Sequence, residues 1–177
     1  SYGDSSRPSL VLLHSGGMGN LEWEAHAPFF ATRFHVFVPD LPGHGQSSMV
    51  SDRLTIQDMS ESVVALLNEL EITKAHIVRS LMGGAVAPPL TVHFAEIVDS
   101  LVLYRVNYYK DAERYLETKA IADPERWIKL GMSRWLSRLH EPQGGKEAWK
   151  TVIARVAEAM DPQFNSHQYS LEQLSRI

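Results

Sequence analysis

The chain contains no cysteine. This excludes disulfides, a thiolate zinc site and a cysteine nucleophile together. It also lacks a long apolar run: nothing approaches the ~18–20 residues that a membrane helix needs, so no membrane-embedded part is expected. Basic charge is neither abundant nor clustered. Seventeen Lys and Arg stand against 21 Asp and Glu, for a net charge of −4, and a nucleic-acid surface normally needs a basic patch. The opening stretch Ser1–Pro8 is polar and turn-like, and no secretory leader is expected from it. Together with the missing cysteines this makes a cytoplasmic setting the expectation. The eight histidines show no metal-ligand spacing, and neither metal nor cofactor is expected.

What the 177 residues do hold is enough apolar content, 44%, for a substantial core. Leu10–Leu13 is a short continuous apolar run of the kind that forms a strand buried on both faces. It ends in a glycine-rich loop, His14–Asn20. Residues 21–32 read as a helix anchored by Trp23, Phe29 and Phe30. His35–Pro39 is a second buried strand, and Asp40–Ser48 follows it as a rigid loop. From Thr55 to Leu70 the apolar positions 56, 59, 63, 64, 66, 67 and 70 follow helical spacing. Ala75–Val78 and Val98–Tyr104 complete four strands. Strand and helix alternate, which predicts an α/β architecture: a doubly wound, mostly parallel sheet of about four strands with helices on both faces.

After Tyr104 the pattern becomes helical. Segments 110–121, 123–138, 144–160 and 168–176 read as amphipathic helices divided by proline and glycine signals. The expected organisation is a core over 1–107 and a helical cap over 108–177.

Four ordered features carry a resemblance. The His14–Gly17 loop is similar to the His-Gly loop of α/β-hydrolases, which supplies a backbone N–H to an oxyanion hole. Asp40-Leu41-Pro42-Gly43-His44-Gly45-Gln46-Ser47 is very similar to that family's Asp-x-Pro-Gly-His-Gly-x-Ser loop. His76–Gly84 resembles its strand–turn–helix nucleophile elbow, Gly-x-Ser-x-Gly. Val98–Leu103 is similar to the strand that follows. The resemblance implies an α/β-hydrolase fold over roughly 10–104 with a helical cap. It further implies an incomplete version of that fold, with two opening strands before Leu10 and two closing strands after Ile177 to be supplied. The closing strands carry the family's acid and histidine.

The elbow departs from its pattern. Aligned on Gly83-Gly84, Arg79 takes the place of the first glycine and Leu81 that of the serine. Leucine has neither a proton to give up nor a lone pair for attack. Ser80 lies one position early; it is a weak substitute nucleophile and is expected to be a solvated turn serine. Pro88-Pro89 should kink the following helix or start it. The backbone N–H groups of Ser15, Gly16, Gly17 and Met82 are candidates for an oxyanion or anion-binding nest. His14, His44 and Asp40 are expected to pin their own loops. Asp99 and Asp111 stand where some relatives place an acid. The other histidines, His140 among them, are expected in surface or core roles. Met18, Trp23, Trp127, Trp135 and Trp149 are candidates to line a cleft under the cap.

The functional expectation is therefore an α/β-hydrolase family chain of ester, lactone or C–C hydrolase type, inactive as written. The alternatives are a non-catalytic ligand-binding or scaffold member, or a part of a longer active enzyme. The expected ligand is a small apolar ester or carbonyl compound. Both outer strands should present open edges, inviting a homodimer or a complementing chain.

Overall fold

The four apolar runs assemble into one parallel sheet in the order β2-β1-β3-β4. In the computed structural model, which describes residues 1–80, 94–104, 112–163 and 172, β1 is Ser9–Leu13, β2 His35–Phe37, β3 Ala75–Ser80 and β4 Val98–Tyr104. β1 and β3 pair in register from Ser9↔Ala75 to Leu13↔Arg79. β4 joins β3 with a register shift between Ala75 and His76. Leu10 to Leu13 are buried without alternation, because a central parallel strand is covered on both faces.

Pleating sends alternate residues to opposite faces. Val11, Leu13, Ala75 and Ile77 meet helix α2, Ile56–Glu69, through Met59, Val63 and Leu67. Leu10, Leu12 and Val36 meet the short helix α1, Ala27–Phe30, together with Trp23. The sheet is thus doubly wound. Each fully buried Leu, Ile or Val contributes about 1.5–3 kcal/mol. α2 starts where Thr55 Oγ1 accepts from the Asp58 N–H at 2.9 Å. It ends with Glu71 at φ 56, and the N–H of Ile72 closes on the Leu67 carbonyl at 2.8 Å, a Schellman-type stop.

The single helix expected over 21–32 is instead a 3-10 turn, Asn20–Trp23, followed by four-residue α1, with Pro28 in its first turn. The expected 123–138 helix divides into α4, Pro124–Lys129, and α5, Ser133–His140. Gly131, at φ +71, makes the break. They follow α3, Ala112–Ile121, and precede α6, Ala148–Ala159. α6 is not confined to a lid. Its Val156 and Ala159 belong to the same apolar cluster as Val11 and Ile77. Of the helix expected over 168–176, Glu172 alone is described, and it is helical.

The two sheet edges differ. Tyr2 makes an antiparallel bridge to Val36, so the β2 edge expected to be open is partly covered. On β4, Val102, Leu103 and Tyr104 are 53%, 45% and 59% exposed. Among the described residues no helix is long and apolar enough to cross a membrane.

Candidate functional site

The chain leads from β1 outward to β2 on one side of the sheet, returns through α2 to β3, and leads from β3 outward to β4 on the other side. The carboxyl ends of β1 and β3 therefore flank a topological switch point, where open α/β sheets bind ligands. Ser15 and Ser80 face each other there.

β3 runs two residues further than its apolar content suggests, because Arg79 and Ser80 continue the ladder opposite Leu103 and Tyr104. Ser80 is consequently not a solvated turn serine. It is the last strand residue, 6% exposed, with its Oγ 3.2 Å from Ser15 Oγ. Ser15 Oγ lies 2.7 Å from Glu22 Oε1, and the Ser15 N–H donates to Glu22 Oε2 at 2.6 Å. A carboxylate only accepts, so Ser15's single hydroxyl proton points to Glu22, and the longer contact takes its proton from Ser80.

The same bonds decide which loop donors are open. The Ser15 N–H is taken by Glu22, and the Gly17 N–H donates to His44 Nε2 at 3.2 Å. Of that loop's candidate donors, the Gly16 N–H alone makes no hydrogen bond among the described residues. The four-donor nest expected from sequence is thereby reduced, since a nest needs unengaged N–H groups. Leu81 and Met82, with Pro88-Pro89 and Asp111, lie outside the described residues.

Three histidine rings gather behind this crevice, all fully buried. His14 Nδ1 donates to the Ser15 carbonyl at 2.8 Å, and its Nε2 accepts from the Leu41 N–H at 2.9 Å. His44 Nδ1 donates to the Pro42 carbonyl at 3.0 Å, while its Nε2 accepts from Gly17. His140 reverses the tautomer: Nε2 donates to the Gly17 carbonyl at 3.0 Å and Nδ1 accepts from the Gly45 N–H at 3.1 Å. Each ring accepts at one nitrogen, so each is held neutral. Burial lowers all three, His14 to about 4 and His44 to about 3. None of these three rings has a nitrogen left over to take a proton from a nucleophile.

Asp40 knits the two loops together. Oδ1 accepts from the Asn20 N–H at 2.7 Å and Oδ2 from the Gln46 N–H at 3.0 Å. A Cβ on Gly45, which has φ +49, would stand 2.3 Å from Oδ2; only glycine fits there.

Met18, Trp127 and Trp135 come together around buried Leu136, Trp149 and Ile153. Trp23 does not join them; it packs with Leu10 and Leu12 on the α1 side of the sheet. Asp99 sits near the amino end of β4, 3.3 Å from His76 Nδ1 and 4.0 Å from Lys74, at the wrong end of the sheet for the crevice. Arg79 is 0% exposed, and none of its guanidinium nitrogens has a hydrogen-bond partner among the described residues. Burial alone drives its pKa well below the usual guanidinium range.

Sequence reasoning missed Glu22, Gln143 and the roles of His140 and Arg79. Only His140 carried a signal: it lies at helical spacing from Leu136, and both are on the buried face of α5.

Comparison with known proteins bears on the fold. A family model described as alpha/beta hydrolase fold matches residues 8–130. The chain is 31% identical over 157 residues to 3-oxoadipate enol-lactonase 1 of Acinetobacter baylyi, covering 85% of this chain and 58% of that protein. It is 34% identical over 96 residues to the pimeloyl-[acyl-carrier protein] methyl ester esterase of Aeromonas hydrophila, covering 54% and 36%. The solved structure of 2-hydroxy-6-oxo-6-phenylhexa-2,4-dienoate hydrolase from Rhodococcus sp. strain RHA1 superposes with a TM-score of 0.77 at 26% identity, over 98% of this chain and 71% of that one. The chain spans 58% and 36% of the length of these two curated relatives.

Proposed function

The chain belongs to the alpha/beta hydrolase fold family, and we propose that its crevice is built for small carboxylic esters, lactones or C–C-bonded carbonyl compounds, which it binds without completing a catalytic cycle. The relatives named above are an enol-lactonase, a methyl ester esterase and a dienoate hydrolase, which supports the substrate class. The observation that carries the absence of turnover is the engagement of both nitrogens in all three buried histidines.

Acyl transfer needs a nucleophile with a base in hydrogen-bond reach, and the base works best with a pKa near the working pH. Leu81 follows Ser80 and offers no nucleophilic atom. Ser80 has a neighbour, but its proton leads through Ser15 to Glu22. That carboxylate is already bonded to the Ser15 N–H and hydroxyl, so Ser80 has no base as its direct hydrogen-bond partner among the described residues. The Gly16 N–H remains available to a ligand carbonyl oxygen, a contact that orients the ligand without activating it.

The test pairs binding with turnover. Purified chain is mixed with p-nitrophenyl acetate, p-nitrophenyl butyrate and an enol-lactone, and a fluorophosphonate probe reports nucleophilic serine. The expected result is a ligand-dependent rise in melting temperature with no hydrolysis above the buffer rate and no probe labelling. Hydrolysis that disappears in Ser80→Ala would overturn the reading.

A second reading concerns partners. The exposed Val102, Leu103 and Tyr104 on the outer strand favour pairing of β4 with a second copy or a complementing chain. Light scattering at micromolar concentration should give a mass above that of one chain. A monomer across the concentration range would remove this reading.

A further inference from the structure

Beside the apolar packing, polar side chains also link the helical region to the crevice loops. His140 ends α5, with one ring nitrogen on the Gly17 carbonyl and the other on the Gly45 N–H. Three residues on, Gln143 Nε2 donates to the carbonyls of Gly45 at 2.8 Å and Ser47 at 2.9 Å. Two side chains thus tie α5 and the turn after it to both loops, across sequence separations of 95 to 123. Gly17 is held from both sides, its N–H by His44 and its carbonyl by His140. Ile153 Cγ2 lies 3.1 Å from where a Cβ on Gly17 would stand, so the segment has little room to shift while these bonds hold.

We infer that His140 and Gln143 form a latch through which α5 positions the Gly16–Gly17 segment, and that proton uptake by His140 releases it. A proton on Nδ1 would replace the lone pair that accepts the Gly45 N–H with a second donor, turning that bond into a repulsion. The Nε2 donor cannot compensate, since it already serves Gly17. The groups that act on the ring are Asp40, which favours its charged form, and the His14 and His44 rings, whose protonation the charged His140 would oppose. The His44 ring centroid is 6.0 Å away. Gly16 carries the N–H assigned above to a ligand carbonyl, so the consequence for ligand binding rests on the proposed function. The release itself does not, and it can be read without any ligand.

The experiment is amide hydrogen exchange by NMR between about pH 7 and about pH 5, comparing Gly17 and Gly45 with Leu12 and Ile77 in the sheet. In the native chain, protection at the two glycines should fall toward acid by up to about tenfold per pH unit through a local opening that leaves the sheet amides protected, as expected for a single linked proton. His140→Gln supplies a donor and an acceptor that do not titrate, and it should abolish this slope at the two glycines. Gln143→Leu should keep the slope and lower the protection of Gly45 at every pH. The inference is overturned if the glycines track the sheet amides throughout in the native chain, or if the slope survives in His140→Gln. Should His140→Gln fail to fold, direct titration of the His140 ring by NMR decides. A ring that stays neutral while the loops open overturns the latch; protonation in step with opening supports it.

Discussion

Replacing Arg79 by methionine should make this protein more stable. The guanidinium is fully buried, and none of its three nitrogens finds a partner among the described residues. Its neighbours across the sheet are Leu13 and Leu103. Arginine does not shed its proton at neutral pH, so the charge persists in an apolar setting. An uncompensated buried charge costs about 3–5 kcal/mol. Methionine keeps an apolar stem of similar reach and removes the charge, so a gain of about 3 kcal/mol is expected. For a chain of this length that corresponds to a rise in Tm of roughly 6–12 °C. The assay is urea unfolding followed by circular dichroism and by fluorescence of the four tryptophans. The midpoint should rise with the m-value unchanged. Arg79→Lys, which retains a charge, should show no such gain. If methionine and lysine leave the midpoint where arginine has it, the guanidinium is solvated or paired in solution and the reasoning is refuted.

The three neutral histidines make stability depend on pH with a definite sign. Their folded pKa values lie below the ordinary 6.5, at about 4 for His14 and about 3 for His44. The unfolded chain therefore takes up protons first, and stability is full above about pH 6.5 and declines as pH falls toward about 4. Each histidine contributes a slope of up to about 1.4 kcal/mol per pH unit. Urea midpoints measured from pH 7.5 to 4.5 check this, and a flat profile would refute it. Gly45→Ala should destabilise by about 3 kcal/mol or more, since the new Cβ combines a left-handed backbone with displacement of Asp40 from the Gln46 and Asn20 amides. Thermal unfolding reads the loss. Glu71→Gly should stabilise by about 1 kcal/mol, because Glu71 holds φ 56 at the end of α2, where glycine is unstrained; an unchanged or lower Tm would count against that account.

The sequence by itself determined the architecture. Uninterrupted apolar runs such as Leu10–Leu13 can be buried only between two layers, and the 3.6-residue spacing from Ile56 to Leu67 supplies one of them. Loop chemistry was also legible, because Asp40 and Gly45 stand at a spacing that a single backbone path satisfies. Tertiary structure alone decided the site. Periodicity reports which face a side chain takes and carries no information on which distant atoms await it there. That Glu22 would close on Ser15, that β3 would run on to bury Arg79 and Ser80, and that His140 would meet Gly17 across 123 positions depend on the packing of elements. The same limit separated Trp23, which packs on the sheet, from the cluster that holds Trp127 and Trp135. All four tryptophans look alike in a sequence, and only the arrangement of layers separates those near the crevice from those in the core.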